Sequence, residues 1–159
     1  MSGDYDLRMG MPFFKNPVEF KNRGITVDAV VWTGMSFLAI ERGNEPFKGC
    51  WALPGGYVGW HETVEEACAR ELKEETGLDA VDLQLIGVYS NPLRDPKENI
   101  SIAYLVRVSF FDDLRAGDDA SRVEWIPYNE GRPSLAFDHN TILRDAYYKA
   151  ARVSSNGMR

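Results

Sequence analysis

A helix that carries acids on its apolar side constrains this chain more than any other feature. Residues 56–78 read GYVGWHETVEEACARELKEETGL. On a wheel at about 100° per residue, Val64, Ala67, Cys68, Leu72 and Leu78 share one arc. Glu71 and Glu75 fall inside that arc, not opposite it. A surface helix of a globular protein keeps its charges on the wet face. Two acids one turn apart along the apolar face therefore need a positive group between them. A hard divalent cation such as Mg²⁺, which takes oxygen ligands, suits that position. Glu65, Glu66 and Lys73 read as ordinary solvated residues of the same helix. Its start is marked by Thr63 with Glu66 three residues on, a capping box. Its end is expected at Thr76, with Gly77 supplying a left-handed cap.

The flanking segments predict an α/β protein. Ile25 to Trp32 and Ser36 to Glu41 are rich in β-formers, and Thr33-Gly34-Met35 between them predicts a hairpin. Arg42 to Gly49 reads as a polar loop. Trp51-Ala52-Leu53 reads as a short strand ended by a Pro54-Gly55-Gly56 turn. Further strands are expected at Leu83 to Ser90, Ile100 to Phe110 and Val123 to Ile126. A second helix is expected from Phe137 to Lys149, with Asp138 as its cap. Residues 1–24 read as an N-terminal arm or edge element, 25–150 as a single domain and 151–159 as a C-terminal tail. Mixed strands with two helices predict a sheet between helices, one on each face. A chain of 159 residues, 44% apolar and 26% charged, is long enough for one proper core.

Composition also excludes partners. A net charge of −6 argues against nucleic acid, which demands a basic face. No apolar run approaches the roughly 18 residues that read as a membrane span. The N-terminus lacks the apolar core of a secretory signal. Cys50 and Cys68 form neither a metal spacing nor a disulfide framework, so a reduced cytoplasm is the expected setting.

Gly56, Glu62, Arg70, Glu71, Glu74, Glu75 and Gly77, with apolar Leu72 and Leu78, stand at fixed intervals. In that spacing the segment resembles the signature box of the Nudix hydrolases at every fixed position. The resemblance implies a Nudix-type α/β/α sandwich and hydrolysis of a nucleoside diphosphate linked to another moiety, with Mg²⁺ or Mn²⁺. It implies that Glu71 and Glu75 hold the metal, with Glu74 and a carbonyl of Gly55 or Gly56 as further ligands. The cation would neutralise pyrophosphate oxygens and activate water. Arg70, four residues before Glu74, is expected to hold that carboxylate, and Glu62 to pair with Arg70. The base stays open between Glu74, Asp118, Asp119 and Glu124. A homodimer is a further expectation of the family.

Softer likenesses concern the substrate. Glu45-Pro46-Phe47-Lys48-Gly49, Pro92-Leu93-Arg94-Asp95-Pro96 with Ser101, and Ala136-Phe137-Asp138-His139 with Ile142-Leu143 are similar to ADP-ribose pyrophosphatases. Pro92 lies fourteen residues past Leu78, where that branch has a proline about fifteen past the box. The implied substrate is ADP-ribose, cleaved to AMP and ribose 5-phosphate, with a nucleoside diphosphate sugar as the alternative. Similar segments occur in ADP-ribose-sensing domains of transcription factors, which makes a non-catalytic binding module the rival of another class. The sensors carry a DNA-binding domain, for which too few residues follow position 150. Arg94 could grip phosphate or ribose and Asp95 a hydroxyl, or the two could brace a turn as an ion pair. Phe13, Phe14, Phe47 and Trp51 could stack on a base, although core packing is the commoner use of an aromatic. His61 is expected in an exposed loop, and His139 in capping or packing.

Overall fold

The computed structural model describes residues 5–6, 11–12, 22–110, 114–117 and 120–156. Two short strands, β1 (Tyr5–Asp6) and β2 (Met11–Pro12), pair antiparallel with each other. The body follows as β3 (Ile25–Val31), β4 (Ser36–Arg42), β5 (Trp51–Ala52), β6 (Gly55–Tyr57), α1 (Val64–Thr76), β7 (Ala80–Tyr89), β8 (Ile100–Val108), β9 (Ala120–Pro127) and α2 (His139–Asn156). A four-stranded mixed sheet has the order β6-β3-β8-β7, with β3 and β8 parallel. A three-stranded antiparallel sheet has the order β5-β4-β9. The α/β sandwich is therefore built on two sheets rather than one.

Alternation along β3 decides which helix covers which face. Val27, Ala29 and Val31 pack with Ala67, Cys68 and Leu72 of α1 and with Tyr104, Val106 and Val108 of β8. Val30 packs with Ile142, Leu143 and Ala146 of α2, joined by Phe37, Ala39 and Ala103. Being covered on both faces, β3 reads as a nearly continuous apolar run. Asp28 interrupts that run and shares the α2 face with Val30. Leu72 is completely buried, and its truncation to Ala carries a cost of about 2–5 kcal/mol.

The ends of α1 follow their local chemistry. Thr63 Oγ1 accepts from the Glu66 N–H at 3.2 Å, and Glu66 Oε2 accepts from the Thr63 N–H at 2.8 Å. Gly77 closes the helix at φ 80°. Elsewhere the structure departs from expectation in three places. Thr33–Ser36 does form a tight connection, but β3 and β4 then part into different sheets. Gly55 and Gly56 belong to a strand, β6, that pairs with β3. Only glycine allows so close an approach, because a Cβ on Gly55 would lie 2.1 Å from the Val27 carbonyl oxygen. Finally, α2 runs past Lys149 to Asn156, and both side-chain oxygens of Asp138 accept from Arg94.

Candidate active site

Arg70 organises the acidic turn. Its Nε and Nη2 donate to the two oxygens of Glu62 at 2.9 and 2.7 Å, a bidentate pair. Nη1 donates to Glu71 Oε1 at 2.7 Å and to Glu74 Oε2 at 3.0 Å. Nη2 also reaches the Tyr57 carbonyl at 3.0 Å, which ties α1 to the end of β6. Glu62 accepts a further bond from the Gly59 N–H at 2.7 Å. Arg70 and Gly59 together hold the Glu62 carboxyl at about 2. The guanidinium, in turn, is held charged more firmly than usual by Glu62 and Glu71.

Glu71 and Glu75 are in a different condition. Burial pushes the Glu71 carboxyl above its ordinary value although Arg70 touches it. Burial pushes Glu75 up to about 8, with Glu71 and Asp28 adding repulsion and the Gly55 N–H opposing. That N–H donates to Glu75 Oε2 at 2.8 Å. Glu75 is only 9% exposed, whereas the Glu74 side chain, one residue away, is 58% exposed. Gly56 fits flush against Glu71, since a Cβ there would lie 2.4 Å from its carboxyl carbon.

This donor set fits a divalent cation. Two desolvated carboxylates one turn apart offer hard oxygen ligands, and a cation would offset the burial, and the lesser repulsion, that raise their pKa. Among the described residues, no three His, Cys, Asp or Glu side chains are gathered closely enough to hold an ion as they stand. Arg70 pairs with Glu62, Glu71 and Glu74 at once.

Behind the glycine strand lies a cleft of about 120 Å³. Gly55 and Gly56 form one wall, and Arg42, Tyr57, Lys97 and Phe137 line the rest with Asp28, Arg94, Asp95, Asn99 and His139. Its rim is conformationally unusual. Phe47 and Phe137 adopt φ values of 64° and 55°, rare for bulky side chains. Their rings meet edge to face at 4.8 Å, and Arg42 lies 4.9 Å from the Phe137 centroid.

The sequence-predicted substrate residues scatter around this cleft. Arg94 and Asp95 line it, but both are buried and engaged. Arg94 donates to both oxygens of Asp138, at 2.9 and 2.6 Å, and lies 3.7 Å from Asp28. Asp95 accepts from the Lys97 N–H at 2.8 Å and from Asn99 Nδ2 at 2.7 Å. Arg94 thus braces the fold through Asp138 rather than through its neighbour Asp95. Phe47 packs on Phe137 at the rim, whereas Trp51 packs into the α2-side core with Arg122 over its ring at 5.4 Å. Of the alternative bases, Glu124 lies on β9 and pairs with Arg122. Asp118 and Asp119 lie outside the described residues, as do Phe13 and Phe14.

Sequence reasoning did not single out Asp28, Arg42, Tyr57, Lys97 or Asn99. For Asp28 a signal existed: one acid inside a buried β-run demands a partner. The others are spread over loops and strands and carry no shared spacing.

Comparison with known proteins agrees with this geometry. Residues 22–146 match the NUDIX domain. The chain is 49% identical over 122 residues to an ADP-ribose pyrophosphatase of Methanocaldococcus jannaschii, covering 76% of this chain and 71% of that one. It is 31% identical over 131 residues to the ADPR responsive transcriptional repressor NtrR of Acinetobacter baylyi, covering 77% of this chain but only 52% of the repressor. Among solved structures, the NUDIX domain of Shewanella oneidensis NrtR complexed with ADP ribose superposes with a TM-score of 0.75. The identity there is 28%, over 85% of this chain and 93% of that one.

Proposed function

The chain belongs to the Nudix family, and from that premise we propose that it is a metal-dependent pyrophosphohydrolase that cleaves ADP-ribose to AMP and ribose 5-phosphate. The observation that carries this reading is the pair of half-buried Glu71 and buried Glu75, one helical turn apart against the Gly55–Gly56 strand. A relative at 49% identity that is an ADP-ribose pyrophosphatase supports the substrate.

Glu71 and Glu75 would hold Mg²⁺ or Mn²⁺, with Glu74 and the Gly55 carbonyl as further ligands. When bound, the cation supplies charge neutralisation at the diphosphate and a lowered pKa for water. The chain's own groups do the rest. Arg70 holds Glu71 and Glu74 in place through its fixed fork of donors. Arg42 and Lys97 give the cleft cationic side chains to meet a diphosphate, while Tyr57 and Phe137 offer aromatic surface. Water adds to one phosphorus, the bridging P–O bond breaks, and Glu74, solvated and beside Arg70, takes the proton. We infer a cytoplasmic setting for the reaction, a reading that the free thiols of Cys50 and Cys68 support. No helix among the described residues is long and apolar enough to cross a membrane.

A second reading, a non-catalytic ADP-ribose-binding module, is raised by the likeness to the ADPR responsive repressor of Acinetobacter baylyi and to the NrtR NUDIX domain complexed with ADP ribose. Turnover separates the two. Purified protein with ADP-ribose and Mg²⁺ is expected to release AMP, and a chelator to stop it. Tight binding of ADP-ribose without AMP release would support the module instead. UDP-glucose and GDP-mannose in the same assay test the nucleotide-sugar alternative.

A further inference from the structure

On the far side of Gly55 from Glu75 lies a second buried polar group, to which the reaction above assigns no role. His139, the first residue of α2, is 4% exposed. Its Nδ1 accepts the Leu53 N–H at 2.9 Å. An accepting Nδ1 carries no proton, so the ring proton sits on Nε2, which faces Asp28 Oδ1 at 3.2 Å. The other Asp28 oxygen accepts from the Ser101 hydroxyl. Asp28 Oδ1 also abuts Gly55, where a Cβ would come within 2.8 Å of it.

These contacts form one line through the molecule. Leu53, held by His139, leads into Pro54, whose carbonyl accepts from the Ala29 N–H at 2.8 Å. Two residues past Leu53 comes Gly55, whose N–H meets Glu75. Among the described residues, the bond from the Leu53 N–H to His139 ties the start of α2 to this segment through a side chain, one that can be exchanged for a partial mimic. Arg94 locks the same helix start from the other side through Asp138.

We propose that His139 is a positioning residue for the acidic turn: by accepting the Leu53 N–H and leaning on Asp28, it sets Leu53–Gly55 so that the Gly55 amide faces Glu75. The proposal rests on the pyrophosphohydrolase reading for its effect on turnover, but its geometric half does not.

Two substitutions split the imidazole's two bonds. Asn places its amide oxygen where Nδ1 stands, so His139→Asn keeps the acceptor for Leu53. Gln extends to where Nε2 stands, so His139→Gln keeps the donor to Asp28 and loses the acceptor. Amide hydrogen exchange of the metal-free variants, read by NMR, is the first measurement. His139→Gln is expected to lose protection at Leu53 and Gly55 while α1 and β8 amides keep theirs, and His139→Asn to retain protection at both. Kinetics on ADP-ribose come second. His139→Gln is expected to lower kcat about 100-fold with KM little changed, the loss suffered when a catalytic group shifts by about 1 Å. His139→Asn should restore most of that loss. Unchanged exchange at Leu53 and Gly55 in His139→Gln would overturn the proposal, as would equal losses of kcat in the two variants. A wild-type protein without turnover would count against the enzymatic reading, and the exchange data would still decide the placement of Gly55.

Discussion

The Gly55–Gly56 strand separates two buried clusters of acids, and they are held in opposite ways. On the α1 side, burial wins: Glu71 lies above its ordinary pKa and Glu75 reaches about 8. On the α2 side, burial pushes Asp28 up, but His139, Ser101 and Arg94 together bring it below its ordinary value. Both sites desolvate carboxylates, and only one supplies enough partners to satisfy them. A compensated cluster is scaffold, because its carboxylates already have donors to satisfy them. An undercompensated one stores unfavourable energy that a ligand can release, which is how a site for a cation differs from a buried ion pair.

The contrast can be broken most forcefully at Glu75. Glu75→Gln removes a proposed ligand yet leaves an amide oxygen for the Gly55 N–H. Turnover is expected to fall about 1000-fold or more, since a metal's charge stabilisation amounts to several kcal/mol. Circular dichroism and Tm of the metal-free variant should match or exceed the wild type. The mirror experiment on the other cluster is Arg94→Ala. It strips Asp138 of its bidentate partner and leaves Asp28 with less compensation, so unfolding in urea should show a loss of about 3–5 kcal/mol. A Glu75 variant that unfolds, or an Arg94 variant as stable as the wild type, would reverse the assignment of the two clusters.

A pH series sharpens the same distinction. Glu75 has a folded pKa above its unfolded value, so the folded protein binds the extra proton. Its contribution is fully present below about 4.5 and is lost as pH rises toward about 8. Metal-free wild-type protein should therefore lose stability across that window, and Glu75→Gln should flatten the slope. Asp28, with its pKa lowered, acts with the opposite sign: its stabilisation is present at neutral pH and is lost only in acid. The smallest effect expected is at the cap of α1. Thr63→Ala should cost about 1 kcal/mol in Tm-derived stability and leave KM unchanged, because the capping box lies at the opposite end of the helix from Glu75.

How far the sequence discloses each cluster follows from their geometry. The acidic turn is local. Thr63, Glu66, Arg70, Glu71, Glu74, Glu75 and Gly77 lie within fifteen residues, so helical periodicity alone brings them together. The capping box, the left-handed Gly77 and the contact of Arg70 with Glu74 could be read in advance for that reason. The α2-side cluster is assembled from β3, the turn after β7, β8 and α2, with partners up to 111 positions apart between Asp28 and His139. No periodicity spans such distances. Arg94 and Asp138 each stand out in the sequence, one as a candidate substrate grip and one as a helix cap, but nothing in the sequence states that they meet. The division of the strands into two sheets was hidden for a similar reason. A tight Thr33–Ser36 connection says that two strands adjoin, and not that they diverge beyond their first bridge at Trp32 and Phe37.

One crystal structure would test the account where it is most exposed. With Mn²⁺ soaked into the crystals, an anomalous peak is expected between Glu71 and Glu75, with carboxylate oxygens at about 2.1 Å as for a small hard cation. Both side chains still bound to Arg70 and the Gly55 N–H, and manganese found elsewhere or nowhere, would contradict it.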